Sequence, residues 1–237
     1  HDQPRSLSRW GDTSTPQLRI KSAKALGLLL HMHKGTPYVY EGEEIGMTNA
    51  GFTRLDQYQD LESINAYHQR VDEAHVQDAA SMMDSLAQVS RDNSRTPMQW
   101  DSTRYAGFMR PDASAEPWLA VNPNKAEAND PDSVFSFYRR LIQLRHTNDI
   151  VAAGEFEAVD VEDEFVYAFT RSIDSQRVLA VVNVSSRTVP LPVETSLMLA
   201  SGIEGSKVLI ANEDSDALAS SIAKGELSPW TAFVYQI

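Results

Sequence analysis

The feature that most constrains the fold is a change of character near residue 150. Before it, apolar residues at helical spacing predict long helices over residues 17–33 and 133–146. After it come short β-prone runs separated by turn residues, at 165–170, 177–184, 188–191, 207–210 and 232–237. Several strands at short spacing are typical of an antiparallel β-sandwich. We therefore predict an α/β domain over residues 1–149 and an all-β domain over residues 150–237.

The segment between the two predicted helices supports the α/β assignment. Residues 37–40 form a short β-prone run, too brief to alternate, which favours a buried inner strand of a parallel sheet. Residues 56–88 have high helical propensity but few apolar positions, so we expect short surface helices that form an insertion. Residues 93–129 hold much of the proline, glycine and tryptophan and predict an ordered, irregular loop.

The charge and composition of the chain argue against several classes of binding partner. The chain has 33 acidic against 21 basic residues and a net charge of -12, which argues against a nucleic acid or an anionic membrane. Its longest apolar run, Ala25–Leu30, is far shorter than the roughly 20 residues of a membrane span. The absence of cysteine excludes disulfides and cysteine-bound zinc and suits a reducing compartment, so we expect a cytoplasmic protein.

The first residues, HDQPR at 1–5, predict where the chain begins within its protein. They hold a His-Asp pair typical of an active site, and neither an initiator methionine nor a signal-peptide pattern precedes them. We therefore expect the chain to be part of a longer protein and to begin inside a catalytic domain. His31 and His33 point to different faces of a helix, and no metal site or cofactor is predicted.

Four blocks in order carry a resemblance to a known family. They are HDQPR at 1–5, GTPYVYEGEEIGM at 35–47, SRDNSRTPMQW at 90–100 and PWLAVNPN at 117–124. Together they resemble the α-amylase-family glucosidases, most of all those of the oligo-1,6-glucosidase and dextran glucosidase type. The resemblance implies a (β/α)8 TIM barrel followed by a β-sandwich, with the active site at the C-terminal ends of the barrel strands. This chain would supply the C-terminal portion of the barrel, with residues 37–40 as its eighth strand.

The same resemblance implies roles for four residues. Asp2 matches the family's third carboxylate, which binds sugar hydroxyls and stabilises the oxocarbenium-like transition state. His1 matches a histidine that contacts the same sugar, and Arg91 matches an arginine that reaches into the site. Glu62 aligns with an acidic residue that binds the next sugar. The nucleophile and general acid of the family lie upstream, so the isolated chain is predicted to be inactive.

Other charged residues near these motifs are interpreted as structural. Arg95 and Arg5 are expected to form structural salt bridges. Glu43 and Glu44 are adjacent in the chain, and adjacent carboxylates seldom converge on one substrate, so we expect them to shape a turn.

Several functions remain open from the sequence. The first is hydrolysis of α-1,6 bonds in isomalto-oligosaccharides, with an oligosaccharide as substrate. Trehalose-6-phosphate hydrolase and isomaltulose synthase share the same blocks. A non-catalytic structural or carbohydrate-interacting module is the alternative of another class, because an incomplete barrel would associate with its missing N-terminal half or with itself.

Overall fold

The computed structural model describes residues 1–101, 106–108, 130–201 and 207–237. The chain divides into two compact units. The loop unit comprises His1–Trp10 and Tyr40–Ala126, and the sheet unit comprises Gly11–Val39 and Glu127–Ile237. The motif block at 117–124 and most of the predicted loop over 93–129 lie outside the described residues. The predicted domain boundary between residues 149 and 150 stays a prediction.

The described α-helices and strands are as follows. The helices are α1 (Ser6–Trp10), α2 (Pro16–Met32), α3 (Leu61–Tyr67), α4 (Ala79–Val89), α5 (Val134–Thr147), α6 (Asp149–Ala153), α7 (Val193–Ala200) and α8 (Ser215–Lys224). The strands are β1 (Glu155–Val159), β2 (Val166–Ile173), β3 (Gln176–Asn183), β4 (Val189–Pro190), β5 (Lys207–Ala211), β6 (Glu226–Leu227) and β7 (Ala232–Gln236). None of the helices in the described ranges combines the length and apolar character that crossing a membrane requires.

The two long predicted helices, α2 and α5, are confirmed. Helix α2 begins at Pro16, and the hydroxyl of its N-cap Thr15 accepts a hydrogen bond from the Leu18 amide at 3.1 Å. Helix α5 is capped by Ser133, whose hydroxyl accepts from the Ser136 amide at 3.0 Å. Capping residues and apolar periodicity are local signals, which is why both helices can be located from the sequence.

The sheet unit is built on a five-stranded antiparallel sheet with strand order β1-β2-β3-β7-β5. Successive side chains of a strand point to opposite faces, and in β3 both faces are buried. Val178, Ala180 and Val182 pack in one apolar cluster with residues of α2 and α5. Leu179 and Val181 pack in a second cluster with residues of the small β4–β6 sheet and of α8. The predicted antiparallel all-β part is confirmed, although the sequence predicted neither β1 nor helices α7 and α8.

The predicted inner strand at residues 37–40 is wrong in this structure. The segment has no regular secondary structure and makes no strand pairing among the described residues, and Tyr38 is 83% exposed. A strand exists only where a neighbouring backbone satisfies its amide and carbonyl groups, so β-propensity alone does not produce one.

The loop unit has short helices, as predicted for residues 56–88, and also a small apolar core that the sequence did not predict. Helix α3 continues into a π-helix at His68–Glu73, and α4 follows with Asp78 as its N-cap. The apolar core consists of five buried residues, which are Ala50, Phe52, Tyr58, Met82 and Leu86. This core positions the segment that follows α4, where the candidate site lies.

Candidate active site

The Arg-Asp-Asn triplet of the third motif block folds as a short 3-10 helix, Arg91–Ser94, directly after α4. Ser90 caps it, with its hydroxyl accepting a hydrogen bond from the Asp92 amide at 3.3 Å. The three side chains of the triplet point to three different partners. The triplet therefore connects the end of α4, the backbone at the start of α3 and the carboxylates around Arg91.

Asn93 joins this 3-10 helix to the end of α4. Its side chain is fully buried, and its amide nitrogen donates to the carbonyls of Leu86, Ala87 and Ser90 at 3.2, 3.2 and 2.9 Å. These carbonyls belong to the C-terminus of α4 and to the residue after it. Each also accepts a second hydrogen bond, from the Ser90 amide, the Asn49 side chain and the Asn93 amide respectively. Asn93 therefore sets the direction in which the chain leaves α4.

Asp92 joins the 3-10 helix to the start of α3. Its buried carboxylate accepts hydrogen bonds through Oδ2 from the backbone amides of Gln59 and Asp60, at 2.8 and 2.9 Å. The hydroxyls of Ser63 and Ser90 meet alongside at 2.8 Å. The backbone around residue 60 is thus fixed relative to Arg91.

Arg91 carries the charge of the triplet and contacts three carboxylates. Its Nη2 lies 2.8 Å from Asp60 Oδ1 and 3.3 Å from Glu62 Oε2, and its Nη1 lies 3.7 Å from Asp2 Oδ1. The Asp60 side chain is only 7% exposed. The hydrogen bond from Arg91 lowers the pKa of Asp60 below its ordinary value of 3.8, and Asp60 in turn raises the pKa of Arg91.

Asp2 lies at the exposed side of the same cluster. Arg95 donates from Nη2 to Asp2 Oδ1 at 3.1 Å and from Nε to the His1 carbonyl at 3.1 Å. The His1 ring nitrogen Nε2 lies 3.6 Å from the same Asp2 oxygen. The side chains of Arg91, Arg95 and His1 all contact Asp2 through its Oδ1, while 62% of the Asp2 side chain remains exposed. The carboxylate is therefore oriented by cations and still accessible to a ligand.

Arg5 is the buried connection between the first residues and the rest of the site. Its guanidinium donates to the carbonyls of Glu41, Ser94 and Thr96 and to the Thr96 hydroxyl. Burial lowers its pKa, against the raising effect of nearby Tyr40 and acidic side chains. Arg5 is a buried structural residue, but the expected salt bridge is wrong, because its hydrogen-bond partners among the described residues are three carbonyls and one hydroxyl.

Glu43 and Glu44 shape the turn after residue 40, as predicted. Glu43 accepts from the Ser6 hydroxyl at 3.1 Å and the Tyr40 amide at 3.3 Å, and burial raises its pKa. Glu44 accepts from the Gly42 amide at 2.7 Å. Gly42 has a φ of 94°, and a Cβ there would lie 2.7 Å from Arg5 Nη1, so the turn requires glycine.

The structure brings together all four residues singled out in the sequence. Asp2, His1, Arg91 and Glu62 lie in one cluster, and their functional roles stay predictions. Arg95 forms ion pairs as expected, but its nearest partner is Asp2 itself, and its Nη1 also lies 3.8 Å from Asp60 Oδ1.

Sequence reasoning missed Asp60 as a member of the cluster. Asp60 precedes α3 at a capping position, where an aspartate ordinarily caps its own helix. Here its side chain makes no cap hydrogen bond and binds Arg91, 31 residues further on. The sequence carries no signal of this pairing.

The cluster has the chemistry of a polyol-binding site. Exposed carboxylates accept hydrogen bonds from hydroxyl groups, and guanidinium groups donate hydrogen bonds that orient the carboxylates. In the described parts of the chain, no group of three or more histidine and acidic side chains is arranged to hold a metal ion. Each carboxylate of the cluster contacts an arginine.

Comparison with known proteins identifies the family of the chain. The family model "Alpha amylase, catalytic domain" matches residues 1–154. Oligo-1,6-glucosidase of Parageobacillus thermoglucosidasius is 40% identical over 243 residues, covering 100% of this chain and 41% of the relative. The chain thus spans about two fifths of the length of this curated relative.

Solved structures agree with this placement. Trehalulose synthase MutB matches with a TM-score of 0.82 and 37% identity, over 100% of this chain and 42% of that one. Trehalose-6-phosphate hydrolase of Bacillus licheniformis matches with a TM-score of 0.80 and 36% identity, over 100% and 41%. The motif blocks, the cluster they form and these matches agree, and the chain belongs to the alpha-amylase family, whose catalytic domain is a TIM barrel.

Proposed function

We propose that this chain provides the sugar-binding side of the active site in a retaining α-glucosidase that hydrolyses α-1,6 bonds of isomalto-oligosaccharides. The observation that carries the proposal is the Asp2 carboxylate, held at 3.1 Å by Arg95 and at 3.7 Å by Arg91 while its side chain stays 62% exposed. The name of the oligo-1,6-glucosidase relative supports this choice of substrate.

Asp2 acts as the transition-state stabiliser in this proposal. Positive charge develops on the sugar ring as the glycosidic bond breaks, and a fixed carboxylate bonded to ring hydroxyls binds that state more tightly than the ground state. Arg95 and Arg91 keep Asp2 oriented through their contacts with its Oδ1. His1 binds the same sugar, while Glu62, on the far side of Arg91, binds the next one.

The nucleophile and the general acid are proposed to lie outside these 237 residues. Retaining hydrolysis requires two carboxyl groups about 5 to 5.5 Å apart, one of them protonated to act as the acid. Asp60 suits neither role, since it is buried, bonded to Arg91 and has a lowered pKa. The isolated chain is therefore expected to be inactive.

The proposal also includes a cellular location and a domain boundary. A cytoplasmic location is supported by the absence of cysteine. A boundary between the barrel portion and the β-rich domain near residue 149 is supported by the family match, which ends at residue 154.

The decisive experiment is a substrate panel with the enzyme that contains this chain. We expect the highest kcat/KM on isomaltose, and lower values on trehalose 6-phosphate and sucrose, which test the two alternative activities. We expect Asp2→Asn to lower kcat/KM by about a hundredfold to a thousandfold. Asp56→Asn is the matched control, because Asp56 is exposed and pairs with neighbouring Arg54.

Each outcome has a defined meaning. Preference for trehalose 6-phosphate or sucrose would replace the proposed substrate and leave the role of Asp2 intact. Full activity of Asp2→Asn would contradict that role. Inactivity of the intact enzyme on all three sugars would favour the non-catalytic module, and hydrolysis by the 237-residue chain alone would show that its own residues supply a nucleophile and an acid.

A further inference from the structure

We infer that Asp60 and Asp92 are positioning residues that hold Arg91 back from Asp2, so that the Asp2 carboxylate stays available to the sugar. The inference rests on the proposed function, because it concerns the same site. It concerns two carboxylates that sequence reasoning did not assign to the site.

Asp60 is the strongest partner of Arg91. The Nη2–Oδ1 distance of 2.8 Å is shorter than the 3.3 Å to Glu62 and the 3.7 Å between Arg91 and Asp2. Asp60 is also nearly buried, whereas Glu62 and Asp2 are mostly exposed. An ion pair with a buried partner is screened less by water than one with an exposed partner. Asp60 therefore determines where the guanidinium rests.

Asp92 fixes the position of Asp60 without touching Arg91's charged group. Its Oδ2 accepts both the Gln59 and the Asp60 backbone amides, at 2.8 and 2.9 Å. Since Asp92 directly follows Arg91 in the chain, one short helix carries both the cation and the anchor of its counter-ion. The distance between Arg91 and Asp60 is thus set by local geometry.

Removing the charge of Asp60 would change which carboxylate Arg91 contacts. The carboxylates that remain near Arg91 are Glu62 and Asp2, both on flexible, exposed side chains. A guanidinium without its buried partner would close on one of them, and a bidentate pair occupies both carboxylate oxygens. Oxygens engaged in that way are not available to sugar hydroxyls.

The test is a double-mutant cycle in the intact enzyme, with kcat, KM and thermal stability measured for every variant. Asp60→Asn keeps the shape of the side chain and removes its charge, and we expect kcat/KM on isomaltose to fall by about tenfold to a hundredfold. If Asp60 acts through Arg91, the double variant Asp60→Asn/Arg91→Gln loses no more than Arg91→Gln alone. Asp84→Asn is the control for a lost charge at an exposed position of α4.

A purely structural role would give a different pattern. It would lower thermal stability and add to the loss caused by Arg91→Gln. Wild-type kcat/KM in Asp60→Asn, or additive losses in the cycle, would overturn the inference. Should Asp60→Asn not fold, Asp92→Asn applies the same cycle with a smaller expected loss, since an asparagine retains one acceptor oxygen. Asp2→Asn, measured in parallel, separates this outcome from failure of the proposed function.

Discussion

The interactions that stabilise the inside of the sheet unit differ from those that stabilise the inside of the loop unit. In the sheet unit, fully buried apolar side chains such as Phe169, Leu179 and Phe233 fill both faces of the five-stranded sheet. In the described part of the loop unit, the apolar cluster has five buried residues, and the chain path is set by buried polar side chains such as Arg5 and Asn93. Apolar packing makes a stable scaffold, but it cannot orient exposed charges.

Dependence on buried polar contacts makes the loop unit sensitive to the loss of a single hydrogen-bond partner. A buried polar group is favourable only while its partners are present, and its loss leaves those partners unsatisfied. Apolar contacts in the sheet unit are numerous and individually weak, so their sum changes with the volume removed. The two units should therefore respond differently to the same kind of perturbation.

Truncating a core phenylalanine should give the largest effect and the clearest contrast. We expect Phe169→Ala to lower the opening free energy of the sheet unit by about 3–5 kcal/mol. Phe52→Ala should cost the loop unit less, because its small cluster can collapse around the cavity. Hydrogen exchange followed by mass spectrometry, peptide by peptide, measures both. Equal losses in the two units would remove the distinction.

Removing a polar clamp tests the loop unit more directly. Asn93→Ala removes one of the two donors to each of the carbonyls of Leu86, Ala87 and Ser90, and we expect a local loss of stability of about 1–3 kcal/mol. Exchange should rise at residues 86–96 and kcat/KM of the intact enzyme should fall, with sheet-unit peptides unchanged. Asn65→Ala, at an exposed position of α3, is the matched control. Faster exchange in the sheet unit would contradict this localisation.

Acidification should give the smallest effect and should reach the sheet unit first. Burial, together with nearby Arg145, lowers the pKa of His31 below its ordinary 6.5, so the unfolded state binds the proton more readily. The stability due to neutral His31 is complete above pH 6.5 and is lost as the pH falls below that value. In the loop unit, the pKa of Asp60 is lowered below 3.8. The stability due to its ionised carboxylate is therefore lost only as the pH falls below 3.8.

Exchange rates corrected for intrinsic pH dependence would show this order. Between about pH 7 and pH 5.5, peptides of α2 should lose protection while those of α3 keep it. His31→Leu should abolish the pH dependence of the α2 peptides, even if it lowers their protection at every pH. An unchanged pH dependence in that variant would assign the effect to another group.

The sequence by itself determined the helices α2 and α5, the antiparallel strands other than β1 and β6, and the four candidate site residues, because caps, periodicity and motif blocks are local in the chain. Only the tertiary structure decided that Asp60 pairs with Arg91, that Arg95 binds Asp2 and that residues 37–40 form no strand. These outcomes depend on partners distant in sequence. An ion pair or a strand pairing is a property of two segments at once, and neither segment alone records which partner it meets.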